Sequence, residues 1–166
     1  RTEERKIWVT ILMSSKSVRS KPTGCRPCNK PRCKVCQHMT TSLIANSTAS
    51  NFSVKINGDY NCDTRNVVYL LECLICGMQY LGETETPFRY RFNNHKAHIS
   101  SLPHLPISKN ANAMGHSFDN IRATILESGF RTHHDREVRE SFLIFKFNTI
   151  AGGLNESTGK LSVLHQ

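Results

Sequence analysis

No run in this chain approaches the roughly 20 consecutive apolar residues that a membrane-spanning helix needs, so no membrane partner is expected. The N-terminus lacks the charged-then-apolar pattern of a secretory leader: Ile7 to Met13 is short and Thr10 interrupts it. No internal repeat divides the sequence. Acid is scarce in the first part only. Residues 1–66 hold 4 Asp and Glu against 12 Lys and Arg, whereas residues 67–166 hold 9 against 10. The net charge of +9 therefore belongs to an N-terminal arm. A basic arm on a nearly neutral domain suits a polyphosphate partner, since each neutralised phosphate releases counterions; a solvated linker is the plainer reading. The chain begins at Arg1 rather than Met, so it is expected to be a fragment of a longer product.

What is present fits one compact domain of 166 residues with an attached arm, its core supplied by a 38% apolar fraction and eight Phe. Six of the seven cysteines fall in three Cys-x-x-Cys pairs, with Cys62 left over. Without a leader, that pattern favours zinc over disulfides, and with it the cell interior. Cys25, Cys28, Cys33 and Cys36 make a candidate tetrahedral site of four thiolates, with His38 as a substitute ligand. Free or redox-active thiols are the other reading. Zinc there would fold the arm into a knuckle with Arg26, Lys30, Arg32 and Lys34 on its surface, suited to phosphate backbones.

The pattern predicts a loop over 25–38, a weak strand within Thr40–Ser53 and an alternating strand over Phe52–Ile56, followed by the turn "NGDYN". Val67–Glu72 reads as a central strand and "MQYLGE" as a second, joined through Cys73–Gly77. A helix is predicted from Thr86 as N-cap with Pro87 at its first position. Residues 101–117, with Pro103, Pro106 and Gly115, read as a long loop, Ile121–Ser128 as a third strand and Asp135–Phe147 as a second helix. The class is α+β or α/β with a small sheet.

Arg91 and His95, four residues apart, share one face of the first helix, at the edge of the apolar face by which Phe88, Phe92 and Ile99 can pack on the sheet. A cation beside an imidazole can grip a phosphate and move a proton; solvated surface residues are the bland alternative. In the second helix Val138, Phe142 and Phe145 form one apolar stripe, and Leu143, Ile144 and Phe147 form another that includes Glu140. A carboxylate among apolar neighbours needs a cation. Arg136, Arg139 or a divalent ion such as Mg²⁺ would serve. Tyr69 and Tyr80 lie on adjacent predicted strands, where tyrosine is ordinarily packing, and Gly82 permits a close backbone approach.

"VVY" (Val67–Tyr69), "YLG" (Tyr80–Gly82), Arg91, Glu140 and "GLN" (Gly153–Asn155) resemble the GIY-YIG nuclease superfamily. The blocks "CRPCNKPRCKVCQH", "VVYLLECLICGMQYLGET", "MGHSFDNIRATILE" and "REVRESFLIFKFNT", the last followed by "GLN", together resemble the endonuclease of Penelope-like retroelements over about residues 25–156. Three departures stand out. Val67 takes the nominal Gly position, Arg91 lies one residue further from Gly82 than in many relatives (Arg89 being the rival), and Leu143 stands where Trp or Tyr is common.

The resemblance implies an α+β GIY-YIG-type fold, a small three-stranded antiparallel sheet flanked by helices, with an N-terminal Cys-rich zinc-knuckle-like arm. It implies a metal-dependent DNA endonuclease that hydrolyses phosphodiester bonds, nicking double-stranded target DNA for retroelement insertion in the nucleus. Tyr69 and Tyr80 would line the site beside Gly82, Tyr69 orienting or deprotonating the attacking water. Arg91 would hold the scissile phosphate and His95 assist proton transfer. Glu140 would bind Mg²⁺ or Mn²⁺, and Asn155 would touch a phosphate or position Glu140. Cys73 and Cys76 would pair with a His-x5-His to form a second zinc site; the matching text supplies Asn110 and His116, with His98 and His104 as substitutes for the missing ligand. Arg26, Lys30, Arg32, Lys34 and Arg89 are the nucleic-acid-binding candidates, template RNA being a further partner of the arm. The expected organisation is a basic arm or the tail of an upstream reverse transcriptase domain (1–24), a zinc-binding linker (25–60), the endonuclease domain (61–157) and a tail (158–166). A catalytically inactive zinc-stabilised nucleic-acid-binding module, or a structure-specific repair nuclease, are the alternatives.

Overall fold

The structure, a computed structural model, describes residues 21–159. The expectation of a short element at Ile7–Met13 lies outside the described residues. Along the chain run β1 (Gly24–Cys25), β2 (Ile44–Asn46), β3 (Ser53–Lys55), β4 (Asp59–Tyr60), β5 (Val67–Cys73), β6 (Gln79–Thr84), α1 (Phe88–Ser101), α2 (Pro106–Asn112), β7 (Ile121–Ser128) and α3 (His133–Phe147). The chain is thus α+β. Its main sheet has three antiparallel strands in the order β6-β5-β7, beside a parallel β1-β4 pair and a β2-β3 hairpin.

β5 is central because its run of apolar, partly β-branched side chains can be covered on both faces. Strand side chains alternate between faces. Val67, Tyr69, Leu71 and Cys73 pack with Phe88 and Phe92 of α1 and Ile107 and Ala111 of α2. Val68 and Leu70 pack with Leu81, Leu126 and the α3 residues Leu143, Ile144 and Phe147. The β5-β7 register slips between Val68 and Tyr69, a bulge beside the tyrosine. Cys25, Val35, Met39 and Ile56 share the α1-side core, so the Cys-rich segment packs on the sheet.

Three boundaries differ from expectation. α1 starts at Phe88, one residue late, with no side-chain cap; the free amides of Phe88 and Arg89 donate instead to the carbonyls of Thr64 (2.9 Å) and Cys62 (2.8 Å). Within the predicted 101–117 loop lies α2, begun by Pro106 at the first turn, where its missing N–H costs nothing. α3 starts at His133 rather than Asp135 because Thr132 and Asp135 form a reciprocal capping box. On α3 the stripe containing Leu143, Ile144 and Phe147 faces the sheet, whereas Phe142 and Phe145 are exposed.

Candidate active site and cysteine clusters

Tyr69 and Tyr80 project from one face of the sheet: Tyr69 pairs with Gly82 across β5-β6, and Tyr80 pairs with Leu71. Gly82 is required by the Tyr69 ring, since a Cβ there would sit 2.5 Å from Tyr69 Cζ and closer still to its hydroxyl. Tyr69 is fully buried. Its hydroxyl lies 2.7 Å from His95 Nε2 and accepts from Arg91 Nε at 3.2 Å. Arginine can only donate. The Tyr69 oxygen therefore accepts from Arg91, and with a neutral imidazole protonated on Nδ1 the phenol's own proton goes to His95 Nε2.

Burial, then the Arg91 charge, then His98 push His95 down to about 3, so the ring is neutral near pH 7. Burial raises the Tyr69 phenol well above its ordinary value, as does the neighbouring Tyr80, while Arg91 opposes the shift. Tyr80 is raised mainly by burial, with Arg91 opposing and Glu140 reinforcing. His95 stands edge-on to both tyrosine rings, at centroid distances of 5.9 Å and 5.7 Å. It belongs to the buried stripe Phe88, Phe92, His95, rather than lying at the margin of the packed face as its helical spacing suggested. Of the two candidate arginines Arg91 is the one that reaches the Tyr69 hydroxyl. Arg89 instead pairs with Asp63 (3.2 Å) and lies over the Tyr90 ring.

A cleft of about 350 Å³ opens beside the β6 edge, lined by Tyr80, Glu140, Ile144, Asn155 and Glu156 among others. Tyr80, not Tyr69, is thus the tyrosine that meets solvent. The two arginines near Glu140 in the sequence have further acidic or amide partners. Arg136 is bound by Glu83 (2.5 Å) and Asn66 (2.7 Å), and Arg139 by Glu127 (2.6 Å). A half-buried carboxylate on a polar cleft is the hard oxygen donor that Mg²⁺ or Mn²⁺ takes, so Glu140 fits that ion. Asn155 lines the cleft with its amide turned to the neighbouring strand. Its amide is used at both ends by the Leu81 main chain, accepting from Leu81 N (2.8 Å) and donating to Leu81 O (2.9 Å). It clamps the closing turn beside Glu140, and Gly153 is needed there because a Cβ would meet Gln79 O at 2.6 Å.

The sulfur clusters are not those expected from spacing alone. Cys28, Cys33, Cys36 and Cys62 converge, their ligand atoms all within 4.8 Å of one another. Cys25 is not among them: its thiol is buried in the core and accepts from Ile125 N at 3.3 Å. Nor is His38, whose Nδ1 bonds Ile121 O (2.9 Å) between the rings of Phe92 and Phe118. Topology explains the exchange. β1 and β4 run parallel with Cys25 opposite Tyr60, so the segments leaving them carry Cys28 and Cys62 out at the same end. A second cluster joins Cys73, Cys76 and His116, without His98 or His104. Asn110 stands beside it, Nδ2 3.4 Å from Cys76 Sγ, with its Oδ1 buried and unpartnered. A third group, Glu83, His133 and Glu137, gave no sequence signal, its members coming from β6 and α3.

Among the nucleic-acid candidates Arg26 pairs with Asp59 (2.9 Å) and Lys30 with Asp63. Arg32 and Lys34 are exposed, with no acidic partner among the described residues. No helix among the described residues is long and apolar enough to cross a membrane.

No protein-family model matches the chain, and no curated protein matches it. Among solved structures it is similar to a mutant form of the catalytic domain of the intron endonuclease I-TevI, with TM-score 0.49 and 19% identity over 56% of this chain and 94% of that one. It is also similar to the catalytic domain of homing endonuclease I-TevI, with TM-score 0.46 and 18% identity over 54% and 95%. At such values the functional reading has to rest on the side chains themselves.

Proposed function

We propose that this chain is a GIY-YIG-type endonuclease that hydrolyses phosphodiester bonds of double-stranded DNA with a divalent cation, in the manner expected of a Penelope-like retroelement. The observation that carries the reading is the chain Arg91–Tyr69–His95, held at 3.2 Å and 2.7 Å behind a cleft onto which Tyr80 and Glu140 open. Arg91, anchored through Nε, turns its remaining donors to the scissile phosphate and stabilises the charge that develops there. Tyr80 orients the attacking water. The buried Tyr69–His95 pair behind Tyr80 holds Arg91 through its Nε and keeps a neutral imidazole, a proton acceptor, beside the site. Phosphate bound to Arg91 offsets the positive charge that helps hold His95 acidic, so substrate itself readies the acceptor. A divalent ion on Glu140 would polarise the phosphate and stabilise the leaving 3′ oxygen.

The cysteine-rich segment carries exposed Arg26, Lys30, Arg32 and Lys34 for the DNA backbone or template RNA. The ion pairs now holding Arg26 and Lys30 keep both cations at the surface, where water and salt screen them and phosphates can compete. Incubation with supercoiled plasmid and Mg²⁺ or Mn²⁺ tests the proposal. Wild type should yield nicked circles, and folded Arg91→Ala and Glu140→Ala proteins should lose on the order of 10²–10³ in rate. Salt-sensitive DNA binding without cleavage would instead select the inactive binding module, a reading that Asn110 in the second cluster favours.

A further inference from the structure

Four sulfur atoms from two distant parts of the chain meet at the entrance to α1. Cys28 and Cys36 Sγ are 3.5 Å apart, and Cys36 and Cys62 Sγ are 3.7 Å apart. These separations far exceed the roughly 2.05 Å of a disulfide. They match the edge of a tetrahedron, about 3.8 Å, that follows from a Zn–S distance of about 2.3 Å. The surroundings suit the charge: four thiolates around Zn²⁺ carry a net −2, Lys30, Arg32 and Lys34 come from the segment that carries three of them, and Arg89 from the first turn of α1. We infer that Cys28, Cys33, Cys36 and Cys62 bind one zinc ion as a closed structural site that excludes Cys25.

Its position gives the site a task beyond folding a knuckle. Cys62 lies in the turn whose carbonyls at Cys62 and Thr64 receive the first free amides of α1. That turn is tightened by Asn61, whose side chain accepts from Asp63 N (2.9 Å), and by Thr64 Oγ1, which accepts from Asn61 N (2.9 Å). Lys30 and Arg89 both reach Asp63 from either side. The metal would therefore staple the segment 28–36 to the N-terminal cap of the helix that carries Arg91 and His95. Arg91 begins less than one turn from that cap.

The test does not depend on nuclease activity. The variant Cys25→Ala/Cys73→Ser/Cys76→Ser retains Cys28, Cys33, Cys36 and Cys62 as its only cysteines. It should hold one zinc per chain, with X-ray absorption showing four sulfur ligands at about 2.3 Å. Cys62→Ser should contain one equivalent less zinc than wild type, and Cys25→Ala alone the same amount. Removing the zinc with a chelator should speed hydrogen exchange at the amides of Phe88 and Arg89. Three results overturn the site: no zinc in the four-cysteine protein, fewer than four sulfur ligands in it, or a lost equivalent in Cys25→Ala. If Cys62→Ser proves insoluble, the four-cysteine protein and Cys25→Ala still decide. Unchanged exchange at Phe88 and Arg89, with zinc confirmed, overturns the coupling to α1.

Discussion

The two faces of the central sheet bury side chains equally well but of different kinds. Towards α3 the core is hydrocarbon, made of Val68, Leu70, Leu81, Leu126, Leu143, Ile144 and Phe147, with the buried Arg136 held by Glu83 at its margin. Towards α1 the same strands bury a phenol, an imidazole and thiols among Phe88, Phe92 and Ile125. An interior polar group is tolerated when it is hydrogen-bonded, and here Tyr69 and His95 satisfy one another. The hydrocarbon core under α3 can thus supply stability that is indifferent to pH, while the α1 face buries the groups proposed for the chemistry.

That contrast can be broken in four ways, from the largest expected loss of stability to the smallest. Leu143→Ala empties a fully buried site on the apolar face and should cost about 2–5 kcal/mol in urea unfolding, with nicking per folded molecule unchanged. Acid should act on the other face. Because His95 is held at about 3, below its ordinary 6.5, the unfolded chain binds a proton that the folded one refuses throughout that interval. The stabilisation is complete above pH 6.5 and falls as the pH drops towards 3, by up to about 1.4 kcal/mol per unit. Unfolding of wild type against His95→Phe over that interval isolates the contribution, which a shared slope would deny. Gly82→Ala should cost about 1–3 kcal/mol by overpacking, and nicking should fall because the Tyr69 ring must leave His95. Phe145→Ser, on the exposed side of α3, should change stability by no more than about 0.5 kcal/mol.

The sequence made this polar face legible where local pattern and chemistry coincide. β5, β6 and β7 were readable from their apolar runs, and Glu140 from its place in the stripe that continues through Leu143, Ile144 and Phe147. α2 was hidden because Pro106 reads as a breaker unless its first-turn position is recognised. The ligand exchange of Cys25 for Cys62 was hidden for a deeper reason. Spacing rewards neighbours, whereas Cys62 joins the cluster only through the parallel pairing of two short strands, each of two residues. For Asn155 the resemblance left contact with a phosphate and positioning of Glu140 both open, and only the position of the Leu81 main chain shows the clamp.

The clamp has a consequence for how copies of this chain can meet. β6 and β7 are the outer strands of the main sheet, and an open outer strand invites another chain to add to it. On β6, Asn155 occupies both main-chain groups of Leu81, and Leu154 N binds Gln79 O at 2.8 Å. On β7, Thr40 N binds Ala123 O at 2.9 Å and the Cys25 thiol takes Ile125 N. Both margins of the main sheet are thus occupied from within at these positions, which works against extending that sheet with a second molecule.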